Sequence, residues 1–201
     1  MGHGARQSKN AVRMPYFFER IENGGRGAIS CNIGKEENME QFKGKVWVLG
    51  DDIDTDIIIP TEYLALKTIE EMKQFGFSPL RPELAAKIGS GDILVAGKNF
   101  GCGSSREQAP EVVKALGIRC VIAKSFARIF FRNGINNGLL LLEQPDLRDV
   151  VKEGDEILVT VNQDVEHEGK KYPIASLPEN LMEILNAGGL VKAMRQRHGL
   201  I

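Results

Sequence analysis

Two glycines one residue apart, followed at once by two hydroxyls, a guanidinium and a carboxylate, hold most of the chemistry in this chain: Gly101-Cys102-Gly103-Ser104-Ser105-Arg106-Glu107. Gly101 and Gly103 admit backbone conformations with positive φ and let a ligand come close to the chain. The first N–H groups of a helix starting here have no intrahelical partner and carry the positive end of its dipole, so they attract an anion. Arg106 adds a planar fork that matches a carboxylate or a phosphate. Ser104, three residues before Glu107, fits a capping box that sets where the helix begins. A small dianion is the ligand this stretch suits.

Two further sets surround it. Upstream, Asp51, Asp52, Asp54, Thr55 and Asp56 stand among Ile53, Ile57, Ile58 and Ile59, and the run ends at Pro60. Asp51 and Asp52 read as a solvated turn. Asp54 and Asp56 share one face if the piece is extended; beside so much isoleucine they are hydrogen-bonded or used. Downstream, Lys124-Ser125-Phe126-Ala127-Arg128 repeats the theme of a strand end, a hydroxyl cap and an arginine on the first turn. Carboxyl ends of neighbouring strands in an open α/β sheet face one crevice. Arg128 is within reach of it, although a salt bridge between two helices is its simpler use.

Several chemistries are excluded by spacing. Arg106 stands where G-x-G-x-x-G needs its last glycine, and residues 119–125 hold no acidic residue for a ribose. No Lys-Ser/Thr pair follows a glycine there, so the stretch is not a P-loop. Cys102 has no local histidine to activate it and reads as a small thiol that fits the turn. His3, His167 and His198 fall in a tail, a turn and the C-terminus, which gives them no metal or acid–base role.

The elements that position these residues follow from periodicity. Apolar runs at 92–96, 119–123 and 139–142 read as buried strands. Between them lie a helix from about 105 to 116, with Pro110 inside its first turn and a half, and a helix capped by Ser125 that runs to about 135. Strand–helix–strand–helix–strand is the pattern of right-handed crossovers with parallel pairing. Before it come a strand at 46–49, a short helix opened by Pro60, a helix at 69–75 capped by Thr68, and a brief helix at 83–88. After it come a short helix at 147–151 and a strand at 156–162. A turn at 167–170 and a returning strand at 172–175 then complete a hairpin for a second sheet layer. Two helices close the chain, one at 179–186 and a basic one after Gly188-Gly189.

Length and composition bound the class. A chain of 201 residues makes one domain with a full core. Lys and Arg number 26 against 27 Asp and Glu, a net charge of −1, so no global field draws it to nucleic acid or membrane. No apolar run approaches the ~18 residues of a membrane span. Three cysteines without C-x-x-C spacing argue against a disulfide framework or a closed zinc site, and for a reducing cytoplasm. Residues 1–38 are Gly-rich, aperiodic and weakly reminiscent of a transit segment. They read as a disordered extension, a tag or a start placed too far upstream, and residues 39–201 read as the domain.

Three long motifs in order carry a resemblance: 50–60, 99–107 and 123–130 with Arg132-Asn133. Together they resemble the family of 3-isopropylmalate dehydratase small subunits, the equivalent of the swivelling domain of the aconitase superfamily. The resemblance implies an α/β fold, a three-layer β/β/α swivelling domain with a partly parallel sheet. It also implies a large partner subunit that carries a 4Fe-4S cluster, with no cofactor in this chain, and a small dicarboxylate substrate. By the family pattern Ser104 is the general base, Ser105 and Arg106 hold substrate carboxylates, and Thr55 and Asp56 line the same cleft. Substrate choice falls to Tyr63, Leu64, Ala65 and Leu66. Where relatives acting on tricarboxylates carry Arg, this chain has Ala65, which leaves a third carboxylate unpaired and favours an alkyl group. Isopropylmalate fits best, with citramalate or dimethylmalate close behind; a related dehydratase acting on homoaconitate is the alternative within the superfamily. A stand-alone anion- or nucleotide-binding domain is the reading from a different class.

Overall fold

The computed structural model describes residues 41–200; the extension read at 1–38, with His3 and Cys31, lies outside the described residues. The chain is organised around its first strand. β1 (Gln41–Val48), β2 (Ile93–Ala96), β3 (Cys120–Ala123), β4 (Leu140–Glu143), β5 (Glu156–Thr160), β6 (Asp164–His167) and β7 (Lys170–Pro173) pair in the order β4-β3-β2-β1-β5-β6-β7. β1 pairs with a different neighbour along each half of its length. Its second half runs parallel to β2, with Val46 opposite Ile93 and Val48 opposite Val95. Its first half runs antiparallel to β5, with Gln41 opposite Thr160 and Lys45 opposite Glu156. Gly44 sits in this stretch for a steric reason: a Cβ there would lie 2.6 Å from the Gly91 carbonyl oxygen and 2.7 Å from Ile93 Cγ1.

The parallel half follows from composition. β2 and β3 are buried at every position, as strands covered on both faces must be, so they read as unbroken apolar runs rather than alternating ones. Two crossover helices, α4 (Gln108–Ala115) and α5 (Arg128–Asn136), join β2 to β3 and β3 to β4. α4 carries Pro110 as its third residue, where no intrahelical N–H bond is lost. The shorter helices are α1 (Thr55–Ile58), α2 (Ile69–Met72) and α3 (Leu84–Lys87), and α6 (Glu179–Asn186) and α7 (Leu190–Arg197) close the chain.

Four local expectations change. Residues 55–58 are not extended: α1 forms because Asp54 caps it, its carboxylate accepting from Ile57 N at 2.7 Å. α4 begins at Gln108 rather than near 105, and the Ser104–Glu107 capping box does not form. α5 begins after Ala127 without a side-chain cap, because the Ser125 hydroxyl accepts instead from Asn99 N at 2.9 Å. The antiparallel half has three strands: β6 intervenes where a plain hairpin was expected and pairs with both β5 and β7. The cap of α2 is as expected, a full capping box between Thr68 and Glu71.

Gly101 stands at φ +78, and a Cβ there would fall 2.1 Å from Phe130 Cγ. That ring also packs edge-on against Phe100, centroids 5.3 Å apart, so it has little room to retreat. Gly101→Ala is expected to destabilise the chain by roughly 2–5 kcal/mol, combining a left-handed backbone with overpacking. Denaturant unfolding of the variant checks this, and an unchanged midpoint would show that Phe130 swings clear.

Candidate functional site

Three backbone segments leave the same edge of the parallel sheet, after β1, β2 and β3, and are stitched to one another. Gly101 N donates to Ile53 O at 2.7 Å, and Thr55 N donates to Cys102 O at 2.9 Å. On the other side Phe100 N donates to Ser125 O at 3.0 Å, and Ala127 N donates to Phe100 O at 2.9 Å. The glycine turn is therefore the middle member of a three-segment platform. Its position at the carboxyl ends of parallel strands is where open α/β sheets bind ligands.

A cavity of about 690 Å³ opens on this platform, lined from the turn by Gly103, Ser104, Ser105 and Arg106, from α1 by Thr55, and from α5 by Arg128, Arg132 and Asn133. Thr55 is buried, whereas Ser104 and Ser105 are exposed. The Thr55 hydroxyl is 2.9 Å from the Ser104 carbonyl oxygen, to which it donates, and 3.3 Å from Ser104 Oγ. Thr55 has one proton and two acceptors on the same residue; a negative charge on Ser104 Oγ would draw that proton to itself, because ionised acceptors make the stronger bond. With no capping box, Ser104 Oγ has no competing structural duty.

Arg106 is held by its own chain. Nη1 donates to Ile59 O at 2.8 Å and to Thr55 O at 3.4 Å, and Nη2 donates to Thr61 Oγ1 at 2.8 Å and to Asp56 Oδ1. Thr61 Oγ1 also donates to Asp56 Oδ1 at 3.0 Å. The Arg106 guanidinium, followed by the Thr61 hydroxyl, keeps the Asp56 carboxyl below its ordinary range. Only the Nε–H of Arg106 has no hydrogen bond among the described residues. Asp56 itself does not line the cavity; it balances Arg106 behind the wall.

The other named residues fall into place around this. Tyr63 stacks on Phe75, with ring centroids 3.8 Å apart and planes 5° apart. Leu64 and Leu66 are half-buried against the core, and Ala65 is exposed. None of these four lines the cavity. Burial, followed by the charges of Asp54 and Asp52, raises the Cys102 thiol, a shift away from the thiolate that a nucleophile needs. Among the described residues Arg128 makes no salt bridge between helices. It and Arg132 are exposed on the first turns of α5 with no ion-pair partner among the described residues. Arg132 had no role assigned from sequence; the signal available was its i,i+4 spacing from Arg128, which puts both on one helix face.

Comparison with known proteins follows the geometry. Residues 81–147 match the aconitase C-terminal domain family. A 3-isopropylmalate dehydratase small subunit of Lachnospira eligens is 77% identical over 161 residues, covering 80% of this chain and 98% of that one. An isopropylmalate/citramalate isomerase small subunit of Methanocaldococcus jannaschii is 47% identical over 159 residues, covering 78% of this chain and 95% of its own. A crystal structure of 3-isopropylmalate dehydratase from Methanocaldococcus jannaschii matches with a TM-score of 0.75 at 39% identity, over 80% of this chain and 96% of that chain.

Proposed function

The chain belongs to the family of 3-isopropylmalate dehydratase small subunits, and on that premise we propose that it supplies the proton-abstracting half of a hydro-lyase. The reaction is the interconversion of 2-isopropylmalate and 3-isopropylmalate by dehydration and rehydration, a step of leucine biosynthesis in the cytoplasm. The observation that carries this reading is the uncapped, exposed Ser104 Oγ, 3.3 Å from a buried threonine hydroxyl in a cavity with two arginines free of ion pairs.

Ser104 Oγ, as the alkoxide, takes the proton from the carbon beside a carboxylate and returns it to the neighbouring carbon after the hydroxyl has moved. Thr55 donates to that oxyanion, and the positive end of α5 adds to the field, a preorganised stabilisation of developing charge. Ser105 and the remaining Nε–H of Arg106 contribute donors to the substrate's carboxylates. Among the described residues no three His, Cys, Asp or Glu side chains gather into a metal set. By resemblance to the family, a 4Fe-4S cluster is assigned to a large partner subunit, where it would supply a Lewis acid for the departing hydroxyl. Both catalytic-turn serines are exposed in this chain, and a partner that covers them removes the water that would weaken every electrostatic contact. Residues 39–201 form the swivelling domain in this reading.

The test is to mix the purified chain anaerobically with a cognate cluster-bearing subunit and to assay isopropylmalate against homocitrate and citramalate. Turnover of isopropylmalate by the mixture and by neither part supports the proposal; anion or nucleotide binding by this chain alone, with no turnover of the mixture, rejects it. The substrate argument has its own check. Ala65 is exposed at the end of the 3-10 turn Thr61–Ala65, so a longer side chain is accommodated without repacking. Ala65→Arg is expected to shift the kcat/KM ratio toward tricarboxylates by about tenfold, the worth of one exposed carboxylate contact. An unchanged ratio removes this residue from substrate selection.

A further inference from the structure

Among the described residues five non-glycines hold a left-handed backbone, and two of these, Asp52 at φ +52 and Asn99 at φ +58, meet beside the three-segment platform. Asparagine and aspartate adopt this conformation most readily after glycine, so the backbone accepts either residue at either place. What fixes the identities is the bond between them: Asn99 Nδ2 donates to Asp52 Oδ1 at 2.9 Å. Neither residue lines the cavity.

The bond belongs to a seam that joins the segments following β1 and β2. Gly97 N donates to Gly50 O at 2.9 Å, Lys98 N to Asp51 Oδ1 at 2.8 Å, and Asp52 N to Lys98 O at 2.8 Å. Gly97 leaves room for this start, because a Cβ there would lie 1.8 Å from Asp51 Oδ1. Past the Asp52–Asn99 bond the seam continues through Gly101 N on Ile53 O and Thr55 N on Cys102 O. It ends where the Thr55 hydroxyl donates to the Ser104 carbonyl oxygen. Asn99 also reaches the segment after β3, since its backbone N–H donates to Ser125 Oγ at 2.9 Å. One residue thus bonds to both outer segments, by side chain to one and by backbone to the other.

Resting on the function proposed above, we propose that Asn99 is a positioning residue: through Asp52 it sets the spacing between Thr55 and Ser104 Oγ on which proton abstraction depends. Thr55 lies three residues beyond Asp52, and Ser104 five beyond Asn99. Gly101 and Gly103 stand between Asn99 and Ser104 with positive φ, so that stretch is pliable unless pinned at its start.

The reconstituted two-subunit enzyme tests this with Asn99→Asp, Asp52→Asn and the double variant, which exchanges the two side chains. Every one of these residues suits a left-handed backbone, so folding is expected to persist. Asn99→Asp removes the donor and sets two carboxylates against each other; kcat should fall about 10- to 30-fold while KM stays within about threefold of wild type. Asp52→Asn leaves an acceptor for Asn99 and should cost less. The double variant again pairs an amide with a carboxylate, and its kcat should return to within about threefold of wild type. Wild-type kcat in Asn99→Asp, a loss confined to KM, or a loss that the exchange does not restore would overturn the proposal. If the wild-type mixture fails to turn over isopropylmalate at all, the proposed reaction is what fails. Amide hydrogen exchange in the full chain still reads the seam in that case. Faster exchange of the Thr55 and Gly101 N–H groups in Asn99→Asp, reversed in the double variant, supports the positioning role, and unchanged exchange refutes it.

Discussion

Replacing Ser104 with alanine is expected to lower kcat by about 10²- to 10⁴-fold, the range for removing a positioned general base. Subunit assembly should be unaffected. Ser104 Oγ is exposed, and its one hydrogen-bond neighbour among the described residues is the Thr55 hydroxyl at 3.3 Å. Thr55 keeps its bond to the Ser104 carbonyl oxygen, because that acceptor is backbone. The loss should therefore appear in kcat and kcat/KM equally, the mark of an interaction made in the transition state. At Ser105, a binding hydroxyl, a loss belongs in KM. Steady-state kinetics of the reconstituted enzyme decide the matter, with size-exclusion chromatography for assembly. A Ser104→Ala enzyme within tenfold of wild-type kcat would mean that another group takes the proton.

Arg106→Gln is expected to have the next largest effect, and by a different route. The side chain is 12% exposed and ties α1 and the residues after it to the glycine turn. Its loss leaves the Ile59 carbonyl without a donor, at roughly 1–3 kcal/mol for an unsatisfied buried acceptor. Thr55 would then lose its fixed distance to Ser104, and misplacement of about 1 Å costs on the order of 10²-fold in rate. Arg106→Lys should not rescue, because a single ammonium cannot serve acceptors that a planar fork reaches together. The pH dependence has a defined sign. The Asp56 carboxyl is depressed by Arg106 and Thr61 from its ordinary value of 3.8, so its pairing stabilises the fold fully above that value. The stabilisation is lost as pH falls through the lower folded value. The difference in unfolding midpoint between wild type and Arg106→Gln should thus be full at neutral pH and shrink below about pH 4. Equal midpoints and equal kcat for the two proteins would remove the bracing role.

Much of this was legible in the residues, for identifiable reasons. The parallel half announced itself because strands buried on both faces have to be apolar throughout, as β2 and β3 are. Parallel order then places the ends of β1, β2 and β3 along one edge, so three motifs far apart in sequence meet without further information. The capping of α2 was also local, a Thr and a Glu three residues apart.

What was not legible depended on partners distant in sequence. The isoleucines of 53–59 favour extended chain, but Gly101 N on Ile53 O and Cys102 O on Thr55 N fix the entry of a helical turn. The Ser104–Glu107 box had the right residues. A tight turn with Arg106 N on Ser104 O at 2.9 Å delays the helix to Gln108 instead. β6 alternates over only four residues, with Val165 and His167 inward, too short a run to separate from a turn. The engagement of Arg106 with Asp56 was invisible because they lie 50 positions apart. The freedom of Arg128 and Arg132 was invisible too, since no sequence pattern says which carboxylates a surface arginine fails to find.

The double pairing of β1 also orders events in time. This strand is synthesised ahead of all its neighbours, yet the Glu156 carboxylate that Lys43 Nζ reaches on β5 lies 113 positions later. Until β5 exists, the antiparallel edge of β1 carries unanswered amide groups, a template for pairing between nascent chains. Lys43 and Lys45 on that edge provide the charge that discourages such pairing while the rest of the polypeptide is made.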